Sequence, residues 1–166
     1  GRANMIATHP LNIGPIGVTG SNSANAIAAQ ADVIVAVGTR LQDFTTGSWT
    51  AFDAEARFIA INTARFDALK HMSQPIVGDA KTALPMLSAA AQGLHAPDAW
   101  MQTAQDERRK WDDYVARNVA LDNGPNSYAK AIGVVNALCD PRDRVVAAAG
   151  GLPAEVTANW RTLDIG

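Results

Sequence analysis

The chain has 166 residues, of which 48% are hydrophobic and 18% are charged, and its formal net charge is −2. This composition is typical of one packed globular domain with an additional piece, and no basic cluster provides the footprint that nucleic-acid binding requires. The single cysteine excludes an internal disulfide, and the sequence shows neither a leader pattern nor an apolar run of about 18 residues. We therefore expect a cytoplasmic protein that binds neither nucleic acid nor membranes.

The first half of the chain alternates between short apolar runs and helical patterns. The apolar runs are rich in β-branched residues, which predicts strands that are covered on both faces. Such alternation predicts an α/β fold, with a Rossmann-like parallel sheet, right-handed crossovers and helices on both faces. We assign residues 1–92 to this domain. The strands are predicted over 32–38, 57–62 and 74–79, and the helices over 24–31 after caps at Ser21–Ser23, over 66–72, and over 80–91 after Asp79.

The sequence pattern of residues 93–126 predicts a linker helix. Its breaker-rich start, Gly93 to Pro97, is followed by an apolar stripe at helical spacing. The charged residues from Asp106 to Asp113 fall on the other faces, and we interpret them as a solvated surface without a function. The turn Asn123-Gly124-Pro125 is predicted to end this helix. The apolar stripe consists of Trp100, Ala104, Trp111 and Val115.

Residues 127–166 predict the start of a second α/β unit. Ser127 can cap a helix, and the valine-containing run 144–149 predicts a strand with a trailing helix behind it. Because one strand and two helices cannot bury a sheet, we expect this unit to be cut short. The apolar side of its first helix is predicted to consist of Tyr128, Ile132, Val135 and Cys139.

Three glycines precede the first predicted helix with the spacing G-x-x-G-x-x-G. They are Gly14, Gly17 and Gly20. Their backbone N–H groups could approach an anion or a cofactor at the start of the helix. This spacing is not the G-x-G-x-x-G dinucleotide fingerprint, so a tight turn is the favoured interpretation.

Two loops lie where parallel α/β sheets bind ligands. Gly38-Thr39-Arg40 follows the first predicted strand at its carboxyl end. Arg40 could clamp a phosphate or carboxylate, pair with Asp43, or cap the end of a helix. Gly150-Gly151 lies between the predicted strand 144–149 and its trailing helix, where a diphosphate can bind, although a plain βα loop fits equally well.

The histidines and the cysteine, which often bind metals or act as nucleophiles, have no suitable partner residues nearby in the sequence. His9, His71 and His95 have no partner ligands at metal-binding spacing, so we predict no metal site. Cys139 falls on the apolar side of its helix without an adjacent histidine, and we expect a buried structural thiol.

Several segments together resemble the central domain of thiamine diphosphate enzymes of the acetolactate synthase type. They keep the family's order over most of the chain. The segments are Gly17-Val-Thr-Gly20, Ala31 to Ser48, and Pro75-Ile-Val-Gly-Asp-Ala80. Three further segments are similar to a ring-cleaving hydrolase branch of that family: Leu41 to Trp49, Phe58 to Asn62, and Ala148 to Pro153.

The resemblance implies a parent enzyme of three domains, of which this chain covers the second and the threshold of the third. The parent would use thiamine diphosphate and Mg²⁺ to break a carbon–carbon bond of a cyclic polyhydroxylated 1,2-dione during inositol breakdown. It would act as a homodimer or tetramer. The family's activating glutamate and its G-D-G…N magnesium motif are not in this sequence. We therefore expect no catalytic residue in this fragment, no activity, and no tight binding of a cofactor.

Two departures from the family pattern limit the sites that the resemblance implies. Acetolactate synthases bind FAD along loops that match Gly17, Gly20, Gly38, Thr39 and Arg40. Gln42 and Phe44 differ from the acidic, arginine-bearing run usual there, which argues against flavin binding and leaves at most a vestigial nucleotide site. Near the diphosphate those synthases carry Gly-Gln-His, whereas this chain has Gly150, Gly151 and Leu152. The resemblance thus implies only backbone contacts of Gly150 and Gly151 with the cofactor.

Two alternatives stay open at this point. The chain could be a piece of an acetolactate synthase-like transferase that retains FAD in its central domain. It could also be a non-catalytic nucleotide-binding or interaction domain, because a fold does not by itself define a function.

Overall fold

The parallel sheet and the helices around it follow the alternation of the sequence. The computed structural model describes residues 4–120 and 125–164. Its strands are β1 (Val33–Val37), β2 (Arg57–Asn62) and β3 (Gln74–Val77), and its helices are α1 (Asn22–Ala28), α2 (Asp43–Thr46), α3 (Arg65–Ala68), α4 (Ala80–Ala90), α5 (Asp98–Val119), α6 (Tyr128–Leu138) and α7 (Gly151–Asn159). We call residues 22–90 the sheet region and residues 125–164 the tail region.

The sheet is parallel in the order β1-β2-β3, which confirms the predicted α/β fold. Its central strand is the best buried, since Ile61 is 1% exposed. The expectation that β1 is covered on both faces is wrong. Val33, Val35 and Val37 are about two fifths exposed, at 40%, 45% and 39%, because they lie on one face of the strand that the described residues cover only in part, whereas Ala36 on the opposite face is buried.

An aromatic cluster covers the face of the sheet that Ala36 and Phe58 share. Leu41, which is 6% exposed, completes the buried part of this cluster. The ring of Trp49 lies edge-on to that of Phe58, with centroids 5.3 Å apart. Aromatic pairs in such geometry contribute about 0.5–1.5 kcal/mol beyond the area that they bury. The loop after β1 is therefore held to the sheet by side-chain packing.

Side-chain caps begin three of the helices where the sequence predicts them. The Oγ of Ser21 accepts from the N–H of Ala24 at 3.1 Å, and Oδ1 of Asp79 accepts from Lys81 at 2.7 Å. The Oγ of Ser127 accepts from the N–H of Lys130 at 3.2 Å. Each cap satisfies an N–H group that a helix end otherwise leaves unpaired.

Helix α5 connects the two regions and packs against both α1 and α6. Its predicted stripe is buried at Ala104, Trp111 and Val115, which are at most 8% exposed. The interpretation of its charged run as a purely solvated surface is wrong, because Arg108 and Asp112 bond to other segments. The predicted stop at Asn123-Gly124 lies outside the described residues.

The tail region departs most from prediction. Residues 144–149 form no strand, and Val146 is 95% exposed. A strand needs a neighbour for its backbone groups, and none of the described residues pairs with this run. The predicted apolar side of α6 is also wrong in part, since Tyr128 and Val135 are 63% and 52% exposed whereas Ala129 and Ile132 are buried.

The C-terminal end of the tail region is nevertheless hydrogen-bonded to the N-terminal loop. The N–H of Ala7 donates to the carbonyl of Thr162 at 2.7 Å. Among the described residues, no helix combines the length and the apolarity needed to cross a membrane. The division of the chain at residues 92 and 126 stays a prediction.

Candidate functional site

The glycine turn before α1 is closed by hydrogen bonds within the chain. The N–H of Gly17 donates to Oδ1 of Asn25 at 2.9 Å, and Nδ2 of Asn25 donates back to the Gly17 carbonyl at 2.9 Å. Gly17 has a φ of 107°, and a Cβ there would lie 2.2 Å from the carbonyl oxygen of Phe44. Only glycine fits this position. Because the N–H groups of Val18, Gly20 and Ser21 also bond within the chain, the geometry favours the turn over an anion site.

The loop after β1 is attached to the loop after β2 by a residue that sequence reasoning missed. Nδ2 of Asn62 donates to the carbonyl of Thr39 at 3.0 Å, and its Oδ1 accepts from Ala64 at 2.9 Å. The N–H of Gly38 donates to the Ile61 carbonyl at 2.9 Å. An Asn at the last position of a predicted strand was the available signal, since its short amide reaches neighbouring backbone.

Arg40 makes neither of the intramolecular contacts that we considered for it. Its Nη2 lies 3.4 Å from Oε1 of Gln42, which is a long hydrogen bond, and its side chain is exposed. Its carbonyl accepts from Nζ of Lys70 at 3.2 Å. The carboxylate of Asp67 binds the same Nζ at 2.7 Å. The guanidinium therefore remains accessible at the carboxyl edge of the sheet.

The structure brings the Gly17 turn and the Arg40 loop together. The N–H of Val18 donates to the carbonyl of Phe44 at 2.8 Å, so the turn packs on α2, which follows the loop. Both side chains are exposed, at 65% for Val18 and 71% for Phe44. The two sequence-predicted elements of a nucleotide site thus share one edge, but most of their polar backbone groups are already bonded.

His71 lies against the aromatic cluster and not at a metal site. Its ring centroid is 3.5 Å from that of Trp49. Removal of the imidazole from water lowers the pKa of His71 from 6.5, the positive charge of Lys70 lowers it further, and Asp43 opposes the shift. No group of three potential metal-ligating side chains occurs in the described parts of the chain. Nδ1 of His9 accepts from the N–H of Leu11 at 3.1 Å.

Cys139 is half-buried and ends α6, where its N–H donates to the Val135 carbonyl at 3.0 Å. The residue is therefore only partly buried, whereas we expected a buried structural thiol. The thiol follows the last turn of α6, which is why burial of the helix face does not cover it completely.

Gly150 and Gly151 begin α7. Gly150 has a φ of 135°, and no side chain caps the helix at this end. A Cβ on Gly151 would meet nothing within 4 Å, and one on Gly150 would meet only Cδ of Pro153 at 4.0 Å. Space is therefore open in front of a helix N-terminus whose backbone N–H groups favour negative charge.

Three segments that are far apart in sequence meet at Arg108. Its guanidinium donates to the carbonyls of Ala7, His9 and Asn12, the second at 2.8 Å, and its Nε donates to Asp112 at 2.9 Å. Oδ1 of Asp112 also accepts from Arg161 at 2.7 Å. Sequence reasoning missed this network, because a helical charge pattern shows only the pairs on the same helix.

The comparisons with known proteins agree with this architecture. Residues 1–87 match the family model described as the central domain of thiamine pyrophosphate enzymes. The chain belongs to that family.

Three similar proteins carry the name 3D-(3,5/4)-trihydroxycyclohexane-1,2-dione hydrolase. The one from Clostridium perfringens is 31% identical over 187 aligned positions, which cover 98% of this chain and 29% of the relative. The one from Geobacillus thermodenitrificans is 34% identical over 99% of this chain and 29% of its own length. The one from Bacillus thuringiensis is 32% identical over 96% and 29%. The chain thus spans 29% of the length of these relatives.

Proposed function

We propose that the chain is a piece of a thiamine diphosphate-dependent hydrolase that cleaves a carbon–carbon bond in a cyclic polyhydroxylated 1,2-dione during inositol breakdown. The observation that carries the proposal is the similarity over 98% of the chain to proteins with that hydrolase name. The match continues beyond the central domain into the tail region, where fold alone would not require it. We take residues 1–92 as central domain, 93–126 as linker helix and 127–166 as the start of the cofactor-binding domain.

The residues present fit a limited role toward the cofactor. Open space in front of Gly150 and Gly151, together with an α7 N-terminus that lacks a side-chain cap, supports backbone contact with a diphosphate. When bound, thiamine diphosphate supplies a carbanion that attacks a carbonyl carbon. This chain would contribute binding and orientation of the diphosphate end only. No metal-ligating cluster occurs among the described residues, so Mg²⁺ would depend on residues other than these.

The same geometry argues against the flavin alternative. Backbone groups of Gly17, Gly38 and Thr39 are engaged in hydrogen bonds within the chain. The side chain of Arg40 is exposed at this edge. We therefore propose that these residues and Gly20 form at most a vestigial nucleotide site. Calorimetric titration of the chain with FAD should show no micromolar binding, and such binding would favour the transferase alternative.

The first test of the proposal concerns the gene. We expect coding sequence on both sides of the region that encodes this chain, with an activating glutamate upstream and a G-D-G…N motif downstream. The encoded protein should hydrolyse the cyclic dione in the presence of thiamine diphosphate and Mg²⁺, whereas the chain alone should not. A gene without a thiamine diphosphate motif downstream would contradict the assignment. We further propose a cytoplasmic homodimer or tetramer, which ultracentrifugation of that protein would check.

A matched pair of glycine variants tests the cofactor contact in the longer protein. Gly150→Ala forces a side chain onto a φ of 135° at the start of α7, whereas Gly93→Ala does the same at a φ of 85° in a loop with open space. Both carry the backbone cost of roughly 1–3 kcal/mol for such conformations. Only Gly150→Ala should weaken thiamine diphosphate binding, by about fivefold or more. Equal effects of the two variants would show that Gly150 has a conformational role alone.

A further inference from the structure

A cleft with a volume of about 450 Å³ lies where the N-terminal loop, α5 and the segment after α7 meet. The residues that line it include Trp111, Trp160 and Ile16. Ligand sites usually measure about 300–1,000 Å³ and combine apolar walls with few polar groups. The cleft has this size and composition. The cleft includes Gly14 and Thr45, so it adjoins the glycine turn and α2, but neither the loop Gly38 to Arg40 nor the start of α7 at Gly150 and Gly151 lines it.

The charged group that reaches this cleft is Arg161. Its side chain is 29% exposed, and Nη2 donates to Oδ1 of Asp112 at 2.7 Å. Asp112 also accepts from Arg108, whose other donors are directed at the carbonyls of the N-terminal loop. Two guanidinium groups therefore share one carboxylate. The junction keeps a net positive charge, and within the described residues that is the only hydrogen bond of the Arg161 guanidinium.

The surroundings of Arg161 favour an additional negative charge. Burial lowers the pKa of its guanidinium from the usual value, Asp112 opposes the shift, and the charge of Arg108 adds to it. Arginine nevertheless stays protonated in proteins. A second carboxylate would balance the charge of Arg161 and form hydrogen bonds in the planar geometry that a guanidinium favours. The Trp rings and Ile16 would contact an apolar body attached to such a group.

We propose that the cleft binds a small organic carboxylate, with its anionic group on Arg161 and its apolar body between Trp111 and Trp160. This binding site is independent of the thiamine diphosphate contact and does not rest on the proposed function.

Benzoate is a suitable probe, because it combines a carboxylate with an aromatic ring, and benzamide is its neutral counterpart. In ¹⁵N-labelled protein, titration with benzoate should shift the indole N–H signals of Trp111 and Trp160 and leave those of Trp49 and Trp100 in place. Benzamide should bind at least tenfold more weakly. Equal affinities of the two compounds would overturn the proposal, as would tighter binding of inorganic phosphate with the same signal shifts.

Arg161→Met tests the anionic contact, and Arg142→Met is its control. Arg142 is 82% exposed and pairs with Asp140 at 3.0 Å, away from the cleft. Arg161→Met should weaken benzoate binding at least tenfold, whereas Arg142→Met should leave it unchanged. Ile16→Trp, which fills the cleft but keeps Arg161, should abolish the signal shifts and decides the question if Arg161→Met does not fold. Unchanged benzoate affinity in Arg161→Met or in Ile16→Trp would contradict the proposal.

Discussion

The sheet region and the tail region contain similar apolar runs with different outcomes. Residues 57–62 form the central strand of a parallel sheet, in which Ile59 pairs with Val35 on one side and Gln74 on the other. Residues 144–149 carry two adjacent valines, yet they stay irregular. Strand propensity reflects a fit to neighbouring strands more than an intrinsic preference of the backbone. Since β1 and β3 each pair with β2 on one side only and are still strands, it is the presence of a neighbouring strand, and not the apolar run itself, that makes the strand.

The largest expected difference between the two regions is the cost of removing an apolar side chain. Ile61→Ala should lower the free energy of unfolding by about 2–5 kcal/mol, because it leaves a cavity in the centre of the sheet. Val146→Ala should change it by less than about 0.5 kcal/mol, since Val146 is 95% exposed. Urea denaturation followed by circular dichroism measures both. A large cost for Val146→Ala would mean that the tail region has a core in solution.

The second comparison concerns the network that joins the regions. Arg108→Met should cost about 2 kcal/mol, because partly buried backbone carbonyls of the N-terminal loop lose their charged donor. Arg109→Met is the neighbouring control and should cost about 0.5 kcal/mol or less, as its side chain is 63% exposed. Hydrogen exchange of residues 7–12 should accelerate in the first variant only. Equal exchange rates would show that Arg108 does not hold this loop.

The loss of a helix cap should cost less, and the cost should differ between α1 in the sheet region and α6 in the tail region. Ser21 is fully buried, and its Oγ accepts from Ala24 and bonds to the carbonyl of Ile13 at 3.2 Å, so Ser21→Ala should cost about 2 kcal/mol. Ser127 is an exposed cap whose Oγ accepts from the N–H of Lys130, so Ser127→Ala should cost about 1 kcal/mol. Thermal unfolding of both variants checks the order. The reverse order would indicate that α6, and not α1, depends more on its cap.

The smallest expected effects are those of pH on stability. The pH range in which stability changes differs between the sheet region and the tail region. His71 has a lowered pKa in the folded chain, so the unfolded chain binds its proton more readily, and stability falls as the pH decreases through 6.5. Asp140 is held below its usual pKa of 3.8 by the hydrogen bond from Arg142, so its small contribution disappears only as the pH falls below about 4.

Two variants resolve these ranges. His71→Gln should flatten the stability profile between about pH 7.5 and 5.5, and Arg142→Met should flatten it below about pH 4, with NMR titration of each group as the direct measurement. A His71 pKa at or above 6.5 in the folded chain would contradict the first expectation. Asp140 titrating at its usual pKa would contradict the second.

Many helix and strand positions of the sheet region could be predicted from local sequence patterns. Fewer of the contacts in its candidate site could be predicted in this way. The bounds of β2 and the caps at Ser21 and Asp79 agree with the sequence, because apolar runs and capping residues act over a few positions. Asn62 was missed, although it connects two strand ends, since its partner Thr39 lies 23 residues away. Contacts over such distances leave no periodic signal.

The sequence by itself determined the class of fold, the order of its helices except α2, and the family, since several ordered segments carry that information together. Only the tertiary structure decided which faces are covered. In the structure one face of β1 is partly exposed, and residues 144–149 form no strand. Arg108, Asp112 and Arg161 form one hydrogen-bond network. The physical reason is that burial and ion pairing depend on which distant segments become neighbours, and a local pattern specifies only the segment that carries it.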